Sequence, residues 1–217
     1  MWPAEVKYRG KPMNVVMSFA SGREMENICS WADFESSMPS HMTQDQGDIL
    51  EYASLLGGMF RVYESNNRFA GSANRLEHIV REYPRGDVLF ALVMRVADSG
   101  SGGDCAPFAS GEILGFSAMR RTWKNTVKLE FLAVNPFHLG LGLRMRGVGS
   151  ALLAMSACVS ATLSAPMFWG ESSDTSLGFY TRRKFHALED IVYLDSAGIA
   201  GFVEDTLRRS PWYSQKI

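Results

Sequence analysis

Apolar and polar positions along the chain fall into two rhythms. Alternation with period two, or a short unbroken apolar run, marks a strand; recurrence at steps of three and four marks a helix. The strand rhythm runs through MNVVMSFA (13–20), DVLFALVMRVA (87–97), GEILGFSAMRRT (111–122), LEFLAV (129–134), APMFWGES (165–172) and ALEDIVYLD (187–195). The helix rhythm runs through GREMENICSWADFESS (22–37), GDILEYASLLGGMFRVYESNNRF (47–69), SANRLEHIVREY (72–83), GVGSALLAMSACVSATL (147–163), TSLGFYTRRKF (175–185) and SAGIAGFVEDTLRRS (196–210). Ser72 stands where an N-cap belongs, and that helix should stop before Pro84, which puts His78 on its surface. Val148, Leu152, Met155, Val159 and Leu163 form one apolar stripe.

The order of these elements sets the fold class. Hairpin-like strands fill the middle of the chain and helices alternate with strands after it. The expectation is an α/β protein of the α+β type: a mixed, mostly antiparallel central sheet with helices on both faces. DSGSGGDCAPFAS (98–110) is rich in glycine and serine and lies between two strand runs, so it reads as a long hairpin connection and not as a domain linker. The 217 residues then make a single domain, with an N-terminal part (1–87), a core (88–195) and a C-terminal helix (196–217).

Composition narrows the function classes. Hydrophobic residues make up 46% and charged residues 21%, as in a globular protein with a substantial core. A net charge of −1 gives no electrostatic reason to expect nucleic acid or a membrane surface as partner. No apolar run approaches the length of a membrane span, and MWPAEVKYRG lacks a signal-peptide core, so a reducing cytoplasm is the expected setting. Three cysteines, Cys29, Cys105 and Cys158, match no metal spacing, and no metal is expected. Cys158 lies in the apolar helix pattern and reads as core.

The candidate chemistry lies where the strand LEFLAV hands over to a helix through NPFHLGLGLRMRGVGSALL (135–153). A Walker A loop needs Lys-Ser/Thr after its last glycine, but Ser150-Ala151 follows Gly149. A dinucleotide fingerprint starting at Gly140 meets Met145 at its third glycine, and one starting at Gly147 meets Leu152. Arg-x-x-Gly-x-Gly, formed by Arg144, Gly147 and Gly149, remains. Glycines admit a pyrophosphate to the backbone, the helix N-terminus offers unpaired N–H groups, and arginine adds charge.

With its surroundings this motif resembles the GCN5-related N-acetyltransferase (GNAT) family. LEFLAVNP resembles the family's fourth strand, RMRGVGSALL its pyrophosphate loop and following helix, and LGFYTRRKF a later helix whose tyrosine faces the thioester sulfur. The likeness spans about residues 88–195. It implies an acetyl-CoA-dependent transfer of an acetyl group to an amine, by direct attack. It also implies a bulge in the fourth strand and a splay from the fifth, freeing the backbone of Leu132, Ala133 and Val134 for pantetheine. The loop side would be held by Arg144, Met145, Arg146, Gly147, Val148, Gly149 and Ser150, with Ser173 where the family has asparagine. Tyr180 is implied as general acid. Glu130 is the preferred base, placed by strand parity on the face of Leu132 and Val134; Glu171 and His138 are its rivals. The segment FHLGLGL (137–143) is longer than the family's usual connection, and Lys184 replaces a usual glycine.

The acceptor amine, a small molecule or a peptide, is not specified, and a homodimer is one arrangement open to such a chain. Two other readings stand beside the enzyme: a non-catalytic acyl-CoA-binding or interaction module, and a nucleotide-binding protein using the same turn.

Overall fold

The computed structural model describes residues 1–37, 44–97, 108–139 and 145–209. Strands β1 (Trp2–Tyr8) and β2 (Lys11–Phe19) form a hairpin, and α1 (Gly22–Cys29), a 3₁₀ segment (Ser30–Ser37), α2 (Gln44–Ser65), the short β3 (Phe69–Ala70) and α3 (Ala73–Glu82) follow. Then come β4 (Val88–Val96), β5 (Ile113–Arg121), β6 (Val127–Val134), α4 (Pro136–Leu139), the short β7 (Met145–Arg146) and α5 (Val148–Thr162). The chain continues through β8 (Met167–Glu171), α6 (Asp174–Thr181), β9 (His186–Leu188), β10 (Ile191–Asp195) and α7 (Ser196–Arg209). No helix of the described residues is long and apolar enough to cross a membrane.

One sheet takes the order β7-β1-β2-β4-β5-β6-β8-β10-β9, with β3 beside β4. Pairing is antiparallel except for β6 with β8 and β3 with β4. Helices lie on both faces, as the pattern predicts. One face carries α3, α5, α6 and α7 over a core that includes Leu76, Phe90, Leu114, Leu152, Phe168 and Leu194. The other carries α1 and α2 over Ile28, Leu56, Leu89, Phe116 and Ala133. The unbroken apolar run of β4 follows from this: both faces of the strand are covered, so Val88–Met94 are buried throughout.

The local signals hold at several termini. Ser21 and Glu24 form a reciprocal capping box on α1, and Ser72 Oγ accepts from Arg75 N at 3.1 Å at the start of α3. His78 is exposed, as expected of that surface. The stripe on α5 is buried from Val148 to Val159, and Cys158 packs in the core, where burial pushes its thiol up to about 11.

Two elements differ from the sequence pattern. β1 is a strand the pattern does not mark; Ala4 and Val6 face inward and Glu5 and Lys7 outward, but a proline and only two inward apolar residues keep its signal weak. The last strand run is two strands: Glu189 adopts φ 56°, and the chain folds back there to pair β9 with β10. Of the connection at 98–110, residues 98–107 lie outside the described residues, while β4 and β5 on its two sides pair antiparallel as expected.

Candidate active site: a split in the sheet

β6 and β8 run side by side for only three pairs, Val127–Phe168, Lys128–Trp169 and Leu129–Gly170. Beyond the last pair β6 continues to Val134 against β5 on its other side, so among the described residues its β8-facing edge is unpaired. Gly170 marks the apex. A Cβ there would lie 2.9 Å from the Leu129 carbonyl oxygen, so a larger residue would push the strands apart one step too early.

The bulge implied by the resemblance is present, and its position corrects one expectation. Ala118 pairs with Phe131 and Met119 with Leu129, which leaves Glu130 as the extra residue on β6. A bulge resets the alternation of side chains. Val127, Leu129, Leu132 and Val134 therefore contact the α5 face, whereas Phe131 and Ala133 contact the α1–α2 face. Glu130 does not share a face with Leu132 and Val134. It turns to the α2 side, where its carboxylate receives Arg120 Nε at 2.6 Å and Lys128 Nζ at 3.1 Å.

Those contacts belong to a chain of five charges. Arg120 also reaches Asp87 at 2.8 Å, and Lys128 reaches Glu171 at 2.9 Å. Burial works against the charge on Arg120 and on Lys128, and their carboxylate partners outweigh it, so both pKa values rise. Burial pushes the Tyr63 phenol, on α2, upward, and the neighbouring Arg120 opposes that. The Glu130 side chain is 9% exposed, whereas that of Glu171 is 61% exposed. Glu130 is thus committed to two cations, and Glu171 opens to solvent across the apex.

At the other end of the gap the chain enters α5. Met145 and Arg146 pair with Tyr8 and Lys7 of β1, which ties the glycine turn to the sheet. Gly147 caps α5 in the left-handed region, with φ 102° and no side-chain hydrogen bond, a conformation that costs other residues about 1–2 kcal/mol. The first intrahelical bond runs from Ala151 N to Gly147 O, so the N–H groups of Val148, Gly149 and Ser150 precede it without helical partners. A Cβ on Gly149 would lie 3.7 Å from the Phe179 ring, an ordinary contact, so the protein's own packing does not demand glycine there. Arg144 lies outside the described residues.

Arg183 supplies a cation at this helix end. Its guanidinium lies 3.8 Å from the Phe179 ring centre and donates to Phe179 O at 2.7 Å and to Ser150 Oγ at 2.5 Å. Burial, and then the neighbouring Arg182, draw its pKa down. No periodic signal could mark this residue, because the contact is made between two helices.

Tyr180 is 7% exposed and packs edge-on against Phe179 and Phe185. Burial pushes its phenol up to about 12, with a further rise from Tyr52 and a smaller opposing pull from Arg183. Tyr52 belongs to α2, on the opposite face, and packs on Phe131 at 5.4 Å between ring centres. The two phenols are thus carried on opposite faces of the sheet. Tyr52, Leu56, Met59 and Tyr63 recur at steps of four, three and four, so this stripe was available in the sequence.

The remaining candidates are placed apart. Ser173 is the N-cap of α6; its N–H donates to Ser176 Oγ at 2.9 Å and its hydroxyl lies 3.0 Å from that of Thr175. His138, in α4, is buried against the Phe108 ring, with Nε2 3.1 Å from Glu112 Oε1. Burial lowers its pKa, and Glu112 opposes that.

No protein-family model matches the chain, and no curated protein matches it. Solved structures of similar fold include a GNAT family acetyltransferase from Brucella melitensis in complex with acetyl-CoA. It is 14% identical over 83% of this chain and 87% of that one, with a TM-score of 0.49. An acetyltransferase of the GNAT family from Staphylococcus aureus is 11% identical over 84% and 99%, with a TM-score of 0.45. Ard1 from Thermoplasma volcanium is 15% identical over 83% and 97%, with a TM-score of 0.42.

Proposed function

We propose that the chain is an acyltransferase that takes the acetyl group of acetyl-CoA and passes it to a primary amine by direct attack. The observation that carries this reading is the early end of the β6–β8 pairing beside an α5 N-terminus whose glycine cap makes no side-chain hydrogen bond. An open strand edge offers N–H and C=O groups to the amides of a pantetheine arm, as a further strand would. The unpaired N–H groups of residues 148–150 offer donors to a pyrophosphate at the end of that arm, and Arg183 adds positive charge beside them. The space at Gly149 lets an anion approach the backbone. These residues fit acetyl-CoA as cosubstrate.

Transfer then asks little of the protein beyond position and proton movement. The amine nitrogen bonds to the thioester carbonyl carbon, the carbon–sulfur bond breaks, the amine gives up a proton and the sulfur gains one. Backbone N–H of the 132–134 segment polarises the carbonyl. Tyr180 supplies the proton to sulfur; a phenol pushed up to about 12 holds that proton throughout the neutral range. Of the two carboxylates at the apex, Glu171 receives the amine proton through water, since Glu130 is bound by Arg120 and Lys128.

Two observations favour the non-catalytic acyl-CoA-binding module: Glu130 is ion-paired and Tyr180 is largely enclosed. Free-thiol release from acetyl-CoA with a panel of primary amines separates the two. Amine-dependent release supports the transferase. Acetyl-CoA binding without release with any amine leaves only the binding module, and absence of binding removes both.

A further inference from the structure

The acceptor can be read further from the sheet surface beside the apex, on the premise of the transferase reading. Lys128, Trp169, Tyr193 and His186 are direct cross-strand neighbours on β6, β8, β10 and β9. They share one face. Lys128 Nζ lies 5.2 Å from the Trp169 ring centre, and the His186 and Tyr193 rings lie 5.2 Å apart at a 33° tilt. The helices that pack on β8 and β10, namely α5, α6 and α7, take the opposite face, against Phe168, Val192 and Leu194. Trp169 and Tyr193 are half-exposed and His186 exposed, with Leu188 at 66% and Ile191 at 37% exposure on the same face. Two strand spacings make this aromatic floor about 10 Å long.

Charge fixes which end of a ligand goes where. At the β6–β8 apex the carboxylates of Glu130 and Glu171 face each other across the gap, and Lys128 Nζ sits between them at 3.1 and 2.9 Å. The full network, Asp87, Glu130 and Glu171 against Arg120 and Lys128, carries one negative charge in excess. Glu171 is its exposed member, and Glu189 and Asp190 lie at the same end of the floor.

We infer that the acceptor is a hydrophobic primary amine whose ammonium head is held by Glu171 at the apex and whose apolar body lies on the Trp169–Tyr193–His186 floor. The head is then next to the open edge of β6. The floor removes the apolar body from water, which a small or polyhydroxylated amine would not repay.

The test compares kcat/KM for phenethylamine and ethylamine with acetyl-CoA, in the wild type and in Tyr193→Ser and His186→Ser. The expected result is a preference for phenethylamine of about 10-fold or more, reduced several-fold in each variant. Calorimetric titration of phenethylamine into the CoA-bound protein reads the same contact without turnover and should weaken in the same variants. Equal kcat/KM for the two amines overturns the inference and leaves the transferase reading standing. Thiol release with neither of these amines, where another primary amine of the panel is acetylated, also overturns the inference; release with no amine of the panel removes the transferase reading, and the titration then decides the floor alone. A dimer in light scattering that Tyr193→Ser dissociates assigns the floor to a second copy of the chain and overturns the inference.

Discussion

The two ends of the gap between β6 and β8 are made of different material. Toward α5 the surface is backbone: an unpaired strand edge, a glycine cap with φ 102°, and three N–H groups ahead of the first helical bond. Toward Lys128 it is side chains: five charges linked by four ion pairs of 2.6 to 3.1 Å, and a row of aromatic rings. A backbone surface binds through groups that every residue has, so it constrains sequence only where a side chain must be absent. A side-chain surface depends on which residues the register brings together, and can change its ligand without changing the fold.

Substitutions at four positions probe this contrast. The largest effect is expected from Tyr180→Phe, which removes one hydroxyl and keeps the ring. Acetyl-CoA affinity should stay within about twofold, and transfer should fall about 10²-fold where chemistry limits the rate, the low end for a lost general acid because a CoA thiolate is already a fair leaving group. Wild-type turnover in that variant would assign Tyr180 to packing alone.

On the backbone side, Gly149→Val should weaken acetyl-CoA binding by tenfold or more, about 1.4 kcal/mol, because its branched side chain fills the approach to the N–H groups. Phe179 stands 3.7 Å from the site of the new Cβ, so circular dichroism and the melting temperature must be recorded alongside. Gly149→Ala, which meets Phe179 only in ordinary contact, is the gentler control and should keep its stability while losing part of the affinity.

On the side-chain side, Glu130→Gln should act first on the fold. It leaves Arg120 with Asp87 and Lys128 with Glu171, so a stability loss of about 1–3 kcal/mol by denaturant titration is expected, with acetyl-CoA binding unchanged. A strong fall in kcat at unchanged stability, partly restored by raising the pH, would instead make Glu130 the base.

The smallest effect concerns His138. Burial holds its pKa below the usual 6.5, so the fold favours the neutral ring. Its contribution is complete above about pH 6.5 and is lost as the pH falls from there through the lowered value. The melting temperature of the wild type should therefore decline more steeply below pH 6.5 than that of His138→Gln, and parallel curves would contradict the burial argument.

The same contrast explains what could be read from sequence. The backbone side was legible because its requirements are local: an apolar strand run, glycines at Gly147 and Gly149, and a helical stripe from Val148 onward lie within one short stretch. The alternation of strand and helix also gave the sheet class. The side-chain side was not legible, because Arg120, Lys128 and Glu130 meet Asp87 and Glu171 only through cross-strand register. The parity argument for Glu130 failed for a single reason: the resemblance implies a bulge in the strand, but nothing in LEFLAV marks Glu130 as its position. Arg183 escaped notice because a three-residue basic run normally faces water. Tyr52 could have been found, since it shares a helical stripe with Tyr63.

The most direct test of the central claim is backbone amide hydrogen exchange with and without acetyl-CoA. If acetyl-CoA is held by the open edge of β6 and the start of α5, exchange should slow in two separate segments, residues 131–134 and 147–150, with little change in β9 and β10. Saturating acetyl-CoA that protects neither segment would contradict the account.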